Sequence, residues 1–134
     1  MKGNVIVMYQ RKLNSTIRCP LEYALYMIRG KWNARIICVL SYNKTLRYTD
    51  LKNELIDVTD TVLGTTLKEM IANKLINRRQ YNEDNEILPR VEYSLTDKGH
   101  SLVQILENFC SWSRVYSDGE NEDLFKQCHT CEHI

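Results

Sequence analysis

The chain has 134 residues, 43% hydrophobic and 26% charged, a balance that suits one folded globular unit and excludes a mostly disordered chain. Its apolar runs reach only four or five residues, as at 5–8 and 36–40, which excludes a transmembrane helix of roughly 20 apolar residues and leaves the N-terminal run too short for a signal peptide. The net charge of +1 is uneven: ten Lys/Arg face three Asp/Glu in residues 1–56, five face seven in 57–95, and three face seven in 96–134. A basic front and an acidic tail are compatible with a nucleic-acid partner and equally with clustered, solvated charges.

Residues 1–18 show no clear period beyond a weak alternation at Val5, Val7 and Tyr9. Cys19-Pro20 is the first firm punctuation. Proline suits the first helical position, so a helix is expected through Leu21, Leu25 and Ile28, with Gly30 placed to end it. A second helix starts near Asn33, its apolar face drawn by Trp32, Ile36, Ile37 and Leu40, and Ser41-Tyr42-Asn43-Lys44 reads as the loop that stops it. A short third helix follows from about Thr49, capped by its hydroxyl, with Leu51, Leu55 and Ile56 on the buried side.

The fourth segment is the most informative. Thr59 suits an N-cap, and Val62, Leu63, Leu67, Met70, Ile71 and Leu75 trace one helical face. The other face carries Asp60, Thr61, Gly64, Thr65 and Lys68. Short polar side chains and a glycine there suit close approach to another molecule better than simple solvation. Asn73-Lys74 closes the helix. Residues 75–81 and 90–95 read as two strands joined by a polar hairpin loop, with Val91, Tyr93 and Leu95 alternating with polar residues. Thr96 then caps a long helix through Leu102, Ile105, Leu106, Phe109, Cys110 and Trp112, and residues 117–134 read as a loop, a short acidic helix and a cysteine-bearing end.

The order predicts an α+β, mostly helical chain: a winged helix-turn-helix with a two-stranded wing and a long C-terminal dimerisation helix. Three regions are expected: an extension over 1–18 that could join the dimer interface, the winged domain over 19–113, and a tail over 114–134.

Specific residues sharpen this. Cys19-Pro20-Leu21-Glu22 with Gly30-Lys31-Trp32 resembles the opening of the HxlR-type regulators, MarR-like winged-helix transcription factors. Arg47-Tyr48-Thr49-Asp50-Leu51 is similar to their Arg-aromatic-x-acidic-Leu stretch, and Val58-Thr59-x-x-Val62-Leu63-x-x-x-Leu67-Lys68-Glu69-Met70 to their recognition helix. The run from Pro89 to Gly99 resembles the second wing strand and the start of the last helix. Asp60 and Gly64 depart from the larger polar residues that relatives often carry, which points to a different operator or a closer approach.

The short N-terminal run gives a cytoplasmic protein as the expectation, and the resemblance implies a homodimer that binds a double-stranded operator, as a repressor rather than an enzyme. Thr61 and Thr65, one turn apart, would meet base edges, Gly64 would let the backbone come near, and Lys68 would reach a phosphate or a guanine. Asp60 could accept from a cytosine amino group or simply favour the positive helix N-terminus. Arg47, Thr49, Lys31, Arg78, Arg79 and Arg90 are candidates for the phosphate backbone; Arg78 and Arg79 face opposite ways on a strand, so at most one of them is expected to meet DNA, with Arg79 chosen. Leu102, Ile105, Leu106, Phe109 and Trp112 form the expected dimer interface.

Five cysteines, an odd number, do not read as a disulfide framework. Cys19 stands at a helix start beside Arg18, and both features favour a reactive thiol. The resemblance adds that many family members sense oxidants or electrophiles through this cysteine, which makes Cys19 the expected sensor and an oxidant or electrophile the effector. An intersubunit disulfide to Cys128 or Cys131 is one form this could take; a helix-cap cysteine without signalling is the alternative. Cys38 reads as buried and inert, and Cys110 as core or interface. Cys128-His129-Thr130-Cys131-Glu132-His133 leaves open a redox pair, a metal site completed from elsewhere, or a plain tail, and no metal or cofactor is assigned. The competing functions are a thiol oxidoreductase using Cys128 and Cys131, a winged-helix protein-interaction module, and a regulator that answers a small molecule or metal.

Overall fold

The computed structural model describes residues 17–82 and 89–117. Residues 1–16 of the expected N-terminal extension, most of the hairpin loop, and residues 118–134 of the expected tail, with Cys128 and Cys131, lie outside these residues. Helix α1 (Pro20–Met27) opens on Pro20 after an extended Cys19, and the backbone N–H of Arg18 donates to Glu22 Oε1 at 2.6 Å. It ends at Met27. Gly30 (φ +82°) does not terminate it but turns the chain toward the next helix, a left-handed step that suits glycine. Asn33, buried at that corner, donates from Nδ2 to the Met27 carbonyl at 3.2 Å and joins α1 to α2.

Helix α2 (Asn33–Asn43) buries Ile36, Ile37, Val39 and Leu40, and it continues through Ser41, Tyr42 and Asn43 where a loop was expected. Lys44, at φ 69°, stops it. A short strand β1 (Thr45–Arg47) follows and leads directly into α3 (Tyr48–Leu55). Arg47, not Thr49, occupies the N-cap position, and no side chain caps this helix. Leu51 and Leu55 are buried, but Ile56 lies beyond the helix, is exposed and has a left-handed φ of 56°. Asp57 repeats the left-handed step at φ 46°, so the turn between α3 and α4 is tight.

Helix α4 (Asp60–Ala72) starts where the Thr59 hydroxyl accepts from the Val62 N–H at 3.2 Å. Leu63, Thr66, Leu67 and Met70 face inward, whereas Val62, expected on that face, is exposed. Thr66 tolerates burial because its hydroxyl donates to the Val62 carbonyl at 2.7 Å. Strands β2 (Ile76–Tyr81) and β3 (Arg90–Leu95) form the expected hairpin, and β1 pairs with the far side of β3, giving an antiparallel sheet of order β1-β3-β2. The wing hairpin therefore belongs to a three-stranded sheet. Tyr93 and Leu95 turn into the core, while Glu92 on the opposite face stands between Arg47 of β1 and Arg79 of β2.

Thr96 caps a five-residue helix, α5 (Asp97–Ser101), and the chain breaks at Leu102 before α6 (Val103–Tyr116). The expected long helix is thus two. Gly99 packs so closely that a Cβ there would run into the Leu75 carbonyl and lie 3.1 Å from Leu95 Cδ2. The core joins Ile36, Ile37 and Leu40 of α2 to Leu51 and Leu55 of α3, Leu63 and Met70 of α4, and Leu75 and Ile76 at the start of β2. Burying each such side chain stabilises the fold by about 1.5–3 kcal/mol.

Candidate nucleic-acid interface

The turn at Ile56 and Asp57 sets α4 against α3, and burial of Leu63, Leu67 and Met70 fixes its rotation. The same rotation leaves Thr61, Thr65 and Lys68 exposed. Gly64 lies among them, and a Cβ built on it meets no atom of the described residues within 4 Å. The protein's own packing therefore does not require a glycine there. These four residues share one open face of α4.

Asp60 opens that face. Its Oδ1 accepts from the Tyr48 hydroxyl at 2.9 Å and lies 3.0 Å from Lys52 Nζ. Tyr48 and Lys52 are one turn apart on α3, so the two helices are linked at the start of α4. Hydrogen bonding to Lys52, then to Tyr48, holds the Asp60 carboxyl below the usual carboxylate range. Burial, followed by the hydrogen bond to Asp60, pushes the Tyr48 phenol up. In the sequence Tyr48 stands out only as the aromatic residue of the family stretch, and Lys52 does not stand out; their i, i+4 spacing is the available signal.

The basic residues fall elsewhere. Arg47, Arg79 and Arg90 share the outer face of the sheet. Arg47 and Arg79 are exposed, while Arg90 is half-buried with Nε 3.5 Å from Glu92 Oε2. The Arg79 and Arg90 guanidinium groups lie 5.2 and 4.9 Å from the Tyr81 ring centre. Arg78 is exposed on the opposite face, across from Tyr93. Thr49 is exposed in the first turn of α3. Lys31 is exposed ahead of α2, with Nζ 4.9 Å from the ring centre of Trp32, which packs against the core.

Of the five residues expected at a dimer interface, Leu106 is buried at 5% exposure and Leu102 is half-buried against the core. Leu106 belongs to the chain's own interior and is not an exposed contact. Ile105, Phe109 and Trp112 are exposed and continue in Tyr116, whose ring centre is 5.2 Å from that of Trp112. Leu21 and Leu25 are exposed on α1. Cys19 is an exposed thiol, and Cys38 and Cys110 are half-buried thiols. Among the described residues, no helix is long and apolar enough to cross a membrane.

Two helices across a tight turn, the second with an open polar face and followed by a hairpin, define a winged helix-turn-helix DNA-binding regulator. The chain belongs to the HxlR-like helix-turn-helix family, whose model matches residues 27–121. It is 39% identical over 98 residues to an uncharacterised HTH-type transcriptional regulator of Methanothermobacter thermautotrophicus, covering 73% of this chain and 72% of that one. Among solved structures, a regulator named ytcD matches with a TM-score of 0.67 and 32% identity over 74% of this chain and 97% of that one. The redox regulator HypR in its oxidised form matches with a TM-score of 0.65 and 28% identity over 75% of this chain and 99% of that one.

Proposed function

We propose that the chain is a homodimeric repressor that reads a double-stranded operator with the open face of α4 and releases it when Cys19 meets an oxidant or electrophile. The observation that carries the DNA-reading part is the division of α4 into a buried apolar side and an exposed side of Thr61, Gly64, Thr65 and Lys68. The threonine hydroxyls and methyls match base edges, Lys68 matches a guanine or a phosphate, and Gly64 admits the backbone to the groove. Arg47, Arg79, Thr49 and Lys31 are exposed and suit phosphate contacts. Arg90, partly neutralised by Glu92, contributes less.

Dimerisation draws its support from the exposed stripe Ile105, Phe109, Trp112 and Tyr116, with Leu21 and Leu25 as further apolar surface. Redox control draws its support from the exposed Cys19 and from the likeness to HypR. Arg29, just beyond the far end of α1, places Nη2 3.3 Å from Glu69 Oε2 on α4, so a shift of α1 would be felt at α4. The test is fluorescence anisotropy of the full chain on the duplex upstream of its own gene, titrated with salt. Binding is expected to weaken steeply as salt rises, because each neutralised phosphate adds to the slope. Diamide is expected to abolish it in the wild type and spare it in Cys19→Ser. Absence of binding refutes the regulator reading for this duplex, and equal diamide sensitivity in both proteins refutes the sensor.

A further inference from the structure

Of the polar side chains on the open face of α4, Asp60 is gripped by the neighbouring helix. Tyr48 and Lys52 both reach the same carboxylate oxygen, Oδ1, at 2.9 and 3.0 Å. The Tyr48 hydroxyl also lies 3.4 Å from the Asp60 carbonyl oxygen. The carboxylate is thus oriented by two donors, yet its side chain is 70% exposed. Neither contact uses Oδ2. Lys52 offsets the charge that would otherwise repel phosphates, and what remains is a directed acceptor one position before Thr61.

In the major groove such an acceptor discriminates sharply. Thymine O4 and guanine O6 and N7 are acceptors and repel it. Adenine offers an amino donor beside the N7 acceptor, which a carboxylate opposes. Cytosine offers its N4 amino group and a C–H with no acceptor of its own on that edge, the neighbouring O6 belonging to the paired guanine. Resting on the reading that α4 faces the duplex, we propose that Asp60 is a specificity-determining residue that selects cytosine through Oδ2, with Tyr48 and Lys52 as its positioning residues. An aspartate carboxyl is ionised across the physiological range and these two donors favour that form further, so it remains acceptor-only.

The experiment is selection of the full chain on a randomised duplex library, sequenced for the wild type, Asp60→Asn, Tyr48→Phe and Thr61→Ala. The wild type is expected to enrich a motif with an invariant C·G pair at one position in each half-site. Asp60→Asn supplies an acceptor and a donor together, so that position is expected to move toward A·T, with a change in preference of about five- to thirtyfold. Tyr48→Phe is expected to blunt the preference at that position alone, severalfold, with an unchanged circular dichroism spectrum. A role confined to the helix N-terminus would alter affinity for all sequences alike, and that result overturns the proposal. So does a motif altered by Thr61→Ala and untouched by Asp60→Asn, which leaves the α4 reading standing. A library from which the wild type enriches nothing overturns both.

Discussion

Replacing Gly64 by alanine separates two reasons for a glycine in the middle of α4. In a helix interior glycine costs about 0.5–1 kcal/mol relative to alanine, because it surrenders more backbone freedom on folding. The usual compensation is close packing, and among the described residues there is none: a Cβ at Gly64 has nothing within 4 Å. Alanine is therefore expected to stabilise the folded chain by about 0.5–1 kcal/mol, raising Tm by roughly 2–5 °C. The same methyl would stand between Thr61 and Thr65 on the surface proposed to meet DNA. If the backbone comes into contact with the duplex there, overpacking of about 1–3 kcal/mol weakens binding by about five- to 150-fold. Thermal melting by circular dichroism and DNA binding by anisotropy read the two effects, which are expected to have opposite signs. A variant that is more stable and binds as well as the wild type refutes the close-approach argument. A variant that is less stable refutes the packing of α4 described above.

Three further outcomes follow from the geometry. Gly99→Ala drives a methyl into the Leu75 carbonyl, and backbone cannot yield as a side chain can, so a stability loss of about 3 kcal/mol is expected in denaturant unfolding; a loss below about 0.5 kcal/mol would contradict the contact. The lowered pKa of Asp60 implies a stabilising contribution that is present above the usual carboxylate value and fades as pH falls through the lowered one. An NMR titration should place the Asp60 carboxyl below an ordinary aspartate and return it toward that value in Lys52→Met; no movement in Lys52→Met would rule out the ion pair as the cause. Phe109→Glu and Trp112→Glu put charges on the exposed stripe of α6, so sedimentation is expected to report a single chain where the wild type reports two, with the melting curve little changed. A wild type that sediments as one chain while binding its duplex would end the dimer proposal.

The elements were most legible where local chemistry decides them. Pro20 opening α1, Thr59 and Thr96 as caps, and the alternation of Val91, Tyr93 and Leu95 all rest on neighbours a few residues away. Strand β1 escaped notice because three residues, Thr45, Leu46 and Arg47, carry too little alternation, and their pairing partners lie in residues 92–94. Ile56 was expected inside because it extends an apolar pattern, but the left-handed step at Ile56 ends α3 and turns its side chain outward. Val62 and Leu63 are adjacent and both apolar; only the packing of α4 decides that Leu63 is buried. At α6 the apolar pattern could not divide core from interface, since both exclude water: Leu106 went to the first, while Phe109 and Trp112 stayed outside. The polar face of α4 was visible from spacing alone. The hold on Asp60 was not, because it depends on how α3 and α4 cross.

The break at Leu102 has a mechanical meaning. α5 is clamped to the turn after α4: Gly99 sits against Leu75, and the Thr96 hydroxyl lies 2.6 Å from the Lys74 carbonyl oxygen. α6 runs on from this anchored stub as a rod of 14 residues, about 21 Å long, whose first turn is held against the core through Leu102, Val103 and Leu106. Swinging the rod by ten degrees about its base carries its tip roughly 4 Å, close to one base-pair step of about 3.4 Å. In the proposed pair of chains joined through the far ends of these rods, the direction in which the core holds each one would set how far apart two half-sites lie.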